Sequence, residues 1–256
     1  MDLSKDFDVL RTLVRREFRI RYKDSFLGVL WVFGAPLLMI ATYSFFMFGI
    51  VRNLGSGLQS FAGLAGLWVC LGLWQWLNES TNRAGSTFHD NAAMVKRTPL
   101  KLVLLPLANV IVSSVGFVLP LAISCALMVS IGVDPSSFAR LGLGVVSILP
   151  WFIGLALFAS VLGTFLRDAK YAMPLCFNVG LFVSPILYSS EQAPGPLKPL
   201  MYLNPLGYHF EYLKAAISGR EGDVPGLAVA TLAGLVFMIA SARLFAARSG
   251  EFADVV

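Results

Sequence analysis

The sequence predicts an all-α membrane protein. Six transmembrane helices follow an amphipathic interfacial helix, re-entrant helices lie between spans five and six, and both termini face the cytoplasm. Three observations predict this. First, only 14% of the 256 residues are charged while 57% are hydrophobic, and a water-facing surface needs about 25% charged residues. Second, six apolar stretches of about the length that crosses a bilayer contain no Asp, Glu, Lys or Arg. Third, the basic residues are strongly biased to alternate connections between those stretches.

The chain reads as one domain over residues 1–256. Its first segment, 1–28, is too charged for a signal peptide core. Leu10, Val14, Phe18, Tyr22 and Phe26 recur every four residues, and Arg11, Arg15, Arg19 and Lys23 form a parallel row. On a helix these make adjacent apolar and basic stripes. Such a helix lies in a membrane interface, its cations on lipid phosphates. The six apolar stretches are Val29–Val51, Phe61–Leu77, Leu102–Ile131, Leu141–Leu166, Tyr171–Tyr188 and Val224–Ala242. Trp74 and Trp76, near the end of the second, fit an interfacial aromatic belt.

Orientation follows from Lys and Arg. One side carries Lys5, Arg11, Arg15, Arg16, Arg19, Arg21 and Lys23, then Arg83, Lys96, Arg97 and Lys101, then Arg167, Lys170, Arg243 and Arg248. The other side carries only Arg52, Arg140, Lys198, Lys214 and Arg220. The first side is therefore cytoplasmic. The net charge of +5 thus reports topology and membrane lipid, and nucleic acid is not an expected partner.

Two connections are substantial. Residues 81–101 form a polar cytoplasmic loop whose Pro99 confines any helix to its earlier part. Residues 189–223 are external, rich in proline up to Pro205 and then helix-like from Tyr208 to Ile217. Their apolar side chains suit a hairpin dipping into the membrane with its backbone buried against the bundle.

Chemistry is largely absent. No lysine follows a glycine, so no GxxxxGK[ST] phosphate loop exists, and neither HExxH nor GxSxG occurs. Cys70, Cys125 and Cys176 are widely spaced, and His89 and His209 share no motif, so no metal site is expected. An enzyme is disfavoured and the chain needs no cofactor of its own. Gradient-driven transporters place ionisable groups at membrane depth; with none in the apolar stretches, energy is expected from a partner that hydrolyses ATP. Trp31, Tyr43, Trp68, Phe177, Phe182 and Tyr188 are candidates for a glycan path, because sugar rings present apolar faces to aromatic rings. Lipid-facing aromatics are the alternative.

Several runs carry a resemblance. Arg15-Arg16-Glu17-Phe18-Arg19-Ile20-Arg21-Tyr22-Lys23-Asp24-Ser25-Phe26-Leu27-Gly28-Val29-Leu30-Trp31 resembles the opening signature of bacterial polysaccharide-exporter permeases, the ABC transporter subunits for O-antigen, capsule or teichoic acid. NESTNRAGSTFHDNAAMVKRTPLK, LRDAKYAMPLCFNVGLFVSPILYS, MYLNPLGYHFEYLKAAISG and ARLFAARSGEFADVV are similar, in order, to later motifs of that family. One departure is Thr98-Pro99-Leu100-Lys101, where the family often has an aromatic-Pro-Arg.

The resemblance implies a dimer with two ATP-binding subunits, which carry ATP and Mg, in a bacterial inner membrane. It implies a coupling segment for the ATPase at Asn82, Asn91, Met94, Val95 and Lys96, and an external gate including Tyr202, Asn204, Pro205 and Tyr208. The substrate would be a polysaccharide on a polyprenyl pyrophosphate carrier, O-antigen first. Arg15, Arg19, Arg21, Tyr22 and Lys23 would meet the pyrophosphate or anionic lipid. A drug or small-lipid permease, an enzyme acting on lipid-linked sugars and a non-catalytic assembly factor are the competing readings.

Overall fold

A computed structural model of the chain describes residues 3–22, 28–49, 61–97, 100–190, 195–196 and 198–256. Every regular element among them is helical. The α-helices are α1 (Leu3–Tyr22), α2 (Trp31–Gly49), α3 (Phe61–Asp90), α4 (Ala92–Arg97), α5 (Leu104–Ser130), α6 (Pro135–Ser147), α7 (Leu149–Phe165), α8 (Ala169–Val183), α9 (Lys198–Leu203), α10 (Pro205–Ile217), α11 (Val224–Arg248) and α12 (Phe252–Val255).

Helix α3 is the axis of the bundle; α2, α5, α7, α8 and α10 pack around it. Sequence alone ends the second apolar stretch at Leu77 and assigns residues 81–101 to a polar loop. The helix instead runs unbroken to Asp90, with Ser80, Thr81, Ala84, Gly85, Thr87 and Phe88 buried. Its buried polar groups are small; Ser80 and Thr87 find partners, while Thr81 Oγ1 has none among the described residues. Ser80 Oγ donates to the Leu77 carbonyl at 3.0 Å, and Asn109 Nδ2 donates to Thr87 Oγ1 at 3.0 Å. Small residues also let backbones meet. A Cβ built on Gly163 of α7 would stand 1.9 Å from the Gly85 carbonyl oxygen, so α3 and α7 cross in backbone contact there.

Among the described residues, three helical stretches are long and apolar enough to cross a membrane: Leu104–Ser130, Pro135–Phe165 and Val224–Val255. Trp31–Phe46 and Ala169–Val183 are shorter apolar helices. The chain is thus a multi-pass membrane protein. On α11, Val229, Leu232, Val236 and Ile239 are exposed at helical spacing, an outward apolar stripe of the kind lipid covers. The fourth apolar stretch is two helices rather than one. Pro150 has no N–H to donate back into α6, and the chain steps at Ile148 between α6 and α7. There the Trp151 amide donates to the Ile148 carbonyl at 3.0 Å. His209 Nε2 approaches the carbonyl of the preceding Ser147 at 3.2 Å.

The main core joins the middle of α3 to α5, α7 and α10. Trp76 lies 4.3 Å from Phe152 and 5.7 Å from Phe117, centroid to centroid. Trp74 and Trp76 are 4% and 9% exposed, so neither is the interfacial aromatic that its position suggested. Trp76 Nε1 donates to the Val110 carbonyl at 2.8 Å, which meets the polar need of a buried indole. A second core, at the opposite end from α10, gathers Leu13, Phe88, Val95, Leu105, Phe245 and Phe252. Leu10, Val14 and Val256 pack on it, so α1 and the C-terminal helix share one end of the molecule. Leu10 and Val14 of the apolar row therefore face protein, α1 packs chiefly on α5, and Leu13, outside the row, is buried with them.

Candidate functional site

Two features at that shared end carry polar or exposed chemistry. The first is a groove of about 580 Å³ between α1, α2 and α3, lined by Arg21, Trp31, Val32, Ala35, Pro36, Gln75, Asn78, Glu79, Asn82 and Arg83. Gln75, Asn78, Glu79, Asn82 and Arg83 recur at three- and four-residue intervals, which places them on one face of α3. Arg21 Nη1 donates to Glu79 Oε1 at 3.0 Å and to Ser113 Oγ at 3.3 Å. Arg83 Nε donates to the same Glu79 oxygen at 3.1 Å.

Arg21 stands apart from Arg15 and Arg19 on α1. Its side chain is 2% exposed, held inside the bundle by a carboxylate 58 positions away. Arg15 and Arg19 are exposed on α1. Lys23 lies outside the described residues, as does the side chain of Tyr22.

The second feature is α4 and its support. Asn91 is buried at the joint with α3, and its Nδ2 donates to the Thr87 carbonyl at 2.8 Å. Val95 is buried and Met94 packs beside it in the second core, while Ala93, Lys96 and Arg97 are exposed. Of the five residues proposed to couple, Asn91, Met94, Val95 and Lys96 come together. Asn82 does not: it lines the groove, more than two turns up α3.

Beneath α4 sits an aromatic cluster built largely by the C-terminus. Phe252 is fully buried and lies 4.6 Å from Phe88, 5.3 Å from Phe245 and 5.9 Å from Phe165. The Arg248 guanidinium stands 5.7 Å from the Phe165 ring, a cation–π contact. An ion pair between Lys101 and Asp6 ties the start of α1 to the segment leading into α5.

The six aromatic candidates are dispersed. Trp31 borders the groove and Phe182 is exposed on α8. Tyr43, Trp68, Phe177 and Tyr188 pack against the main core, and the Tyr188 hydroxyl donates to the Phe182 carbonyl. Of the gate residues, Asn204 caps α10 by accepting from the Leu206 amide at 3.1 Å, while its Nδ2 donates to Ser184 Oγ at 2.9 Å. Pro205 opens α10, and the Tyr208 hydroxyl donates to the carbonyl of exposed Tyr202 at 3.3 Å. No cluster of three or more metal-ligating side chains occurs among the described residues.

Residues 8–217, most of the chain, match the family model described as ABC-2 type transporter. The chain belongs to the ABC-2 type transporter membrane family. It is a transporter membrane subunit rather than an enzyme, and membership implies work alongside ATP-binding subunits. It is also similar to two proteins of Klebsiella pneumoniae, each named O-antigen export system permease protein RfbA. They are 25% and 23% identical over 98% of this chain and 95% of their own length. A protein of that name from Myxococcus xanthus is 25% identical over 97% of this chain and 95% of its own length.

Glu79, Arg83, Gln75 and Asn78 were absent from the sequence-based site, as were Phe88, Phe245 and Phe252. Their signals were present: amphipathic spacing continued past Leu77, and aromatic residues stood at the C-terminus.

Proposed function

We propose that this chain is the membrane permease of an ATP-driven exporter that carries a polyprenyl-pyrophosphate-linked polysaccharide, O-antigen foremost, across the bacterial inner membrane. The observation that carries this reading is similarity to O-antigen export permeases over 98% of the chain. The groove supports it, because guanidinium groups, amides and an indole at one end of the bundle suit phosphate and sugar together. In this reading the chain has six spans, with α3 among them, and works as a dimer with two ATP-binding subunits. The end holding α1 and α4 faces the cytoplasm, as the basic bias requires.

Helix α4 is the contact for the ATP-binding subunit. Its exposed Ala93, Lys96 and Arg97 meet the partner while Val95 anchors it from behind. Helices α9 and α10 form the external gate. A permease for drugs or small lipids would have less use for the polar groove.

The test is on the assembled transporter in proteoliposomes. Replacing Ala93 and Lys96 with glutamate is expected to separate ATP hydrolysis from export, lowering transport per ATP at least several-fold. Unchanged export with unchanged hydrolysis would remove α4 from the coupling role.

A further inference from the structure

The groove contains an anion site that one of the protein's own side chains occupies. Glu79 Oε1 sits between two guanidinium groups, 3.0 Å from Arg21 Nη1 and 3.1 Å from Arg83 Nε. Glu79 is thus shared between two cations. Exposure ranks the three groups in depth: Arg21 at 2%, Glu79 at 35% and Arg83 at 41%. The outer guanidinium and the carboxylate therefore face the groove, and the inner guanidinium lies behind them.

The rest of the lining narrows the ligand. Asn82 Oδ1 is buried with no donor to it among the described residues, an arrangement that costs free energy until a donor arrives. Asn78 and Gln75 add further amide groups. Trp31, 43% exposed, offers an indole face at the same groove. Guanidinium takes phosphate, amides take hydroxyls, and an indole face takes the apolar face of a sugar ring. A plain phospholipid head supplies phosphate without a ring for the indole.

We propose that this groove binds the phosphate-linked first sugar of the glycolipid substrate, with Glu79 as the resident stand-in for the phosphate. On binding, the phosphate takes Arg83, Glu79 keeps Arg21, Asn82 Oδ1 accepts from a sugar hydroxyl, and Trp31 covers the ring. This inference rests on the glycan-export reading and adds the residues that recognise the substrate's head.

The experiment uses the complete transporter in nanodiscs and fluorescent probes. They are a monosaccharide-linked polyprenyl diphosphate, the same polyprenyl diphosphate without sugar, and phosphatidylglycerol. Arg83→Gln is expected to weaken both diphosphate probes about tenfold, the scale of one charge-assisted hydrogen bond, with Arg83→Lys recovering part of the loss. Trp31→Ala is expected to weaken only the sugar-bearing probe. The double variant Arg21→Gln/Glu79→Gln is expected to bind diphosphate more tightly because the resident carboxylate is gone. Equal competition by phosphatidylglycerol would overturn the proposal in favour of bulk lipid. Unchanged binding in Arg83→Gln and Trp31→Ala would overturn it outright. Wild-type export measured alongside separates the two readings: export with unaltered variant binding defeats this site alone, and absent export defeats the glycan-export function.

Discussion

A guanidinium nearly closed off from solvent inside an apolar bundle needs a counter-charge, and Glu79 supplies one to Arg21. Removing one partner of such a pair leaves an uncompensated buried charge and costs about 3–5 kcal/mol, whereas replacing both with apolar residues of similar volume is often neutral. Glu79→Ala is accordingly expected to lower the thermal stability of the purified permease sharply, and Arg21→Met/Glu79→Leu to restore most of it. Equal melting of Glu79→Ala and wild type in detergent would show that the pair contributes nothing to stability. The setting of Arg21 was not legible in sequence. It belongs to a basic row on α1, and only the fold places Glu79, 58 positions later, beside it. Arg83 and Glu79 were legible as an i,i+4 pair, but only to a reader who continued the helix.

At the scale of the element, α3 and α4 decide how the molecule is assembled. Apolar composition located α3 correctly in its first half. It failed beyond Leu77 because hydropathy measures preference for lipid, and this half of the helix is covered by protein instead. Small residues there mark close helix approach. Gly163→Val is expected to force α3 and α7 apart, destabilising by about 1–3 kcal/mol or more, read as loss of folded protein on size exclusion. A folded, wild-type-like variant would deny the backbone contact between Gly85 and Gly163.

The α4 segment was legible as a polar stretch before Pro99, and Lys96 stood in it only through the family resemblance. Its foundation was not, because Phe252 comes from the far end of the chain. Phe252→Ala removes a fully buried ring, at about 3–5 kcal/mol. Export is expected to fall while Val255→Ala, an exposed neighbour, behaves as wild type. Equal export by the two variants would show that the C-terminal cluster does not support α4.

For the whole molecule, two cores divide the work. One joins α3, α5, α7 and α10, and fixes the proposed gate helix against the bundle. The other joins α1, α4 and the C-terminus, and supports the proposed coupling segment. Sequence captured this division through the bias of Lys and Arg, which follows from membrane physics and needs no tertiary contact. It could not place the aromatic residues, since a charge-free helix reads alike whether lipid, a channel or a neighbouring helix covers it. Tyr43, Trp68 and Phe177 are packed on the core, while Phe182 is exposed.

The most direct test of the account is ATP-driven movement of a polyprenyl-pyrophosphate-linked polysaccharide in proteoliposomes that hold this chain with its ATP-binding subunits. The account predicts movement that needs both proteins and ATP, with hydrolysis confined to the partner. Hydrolysis by this chain alone, or a coupled complex that leaves the lipid-linked glycan in place, would contradict it.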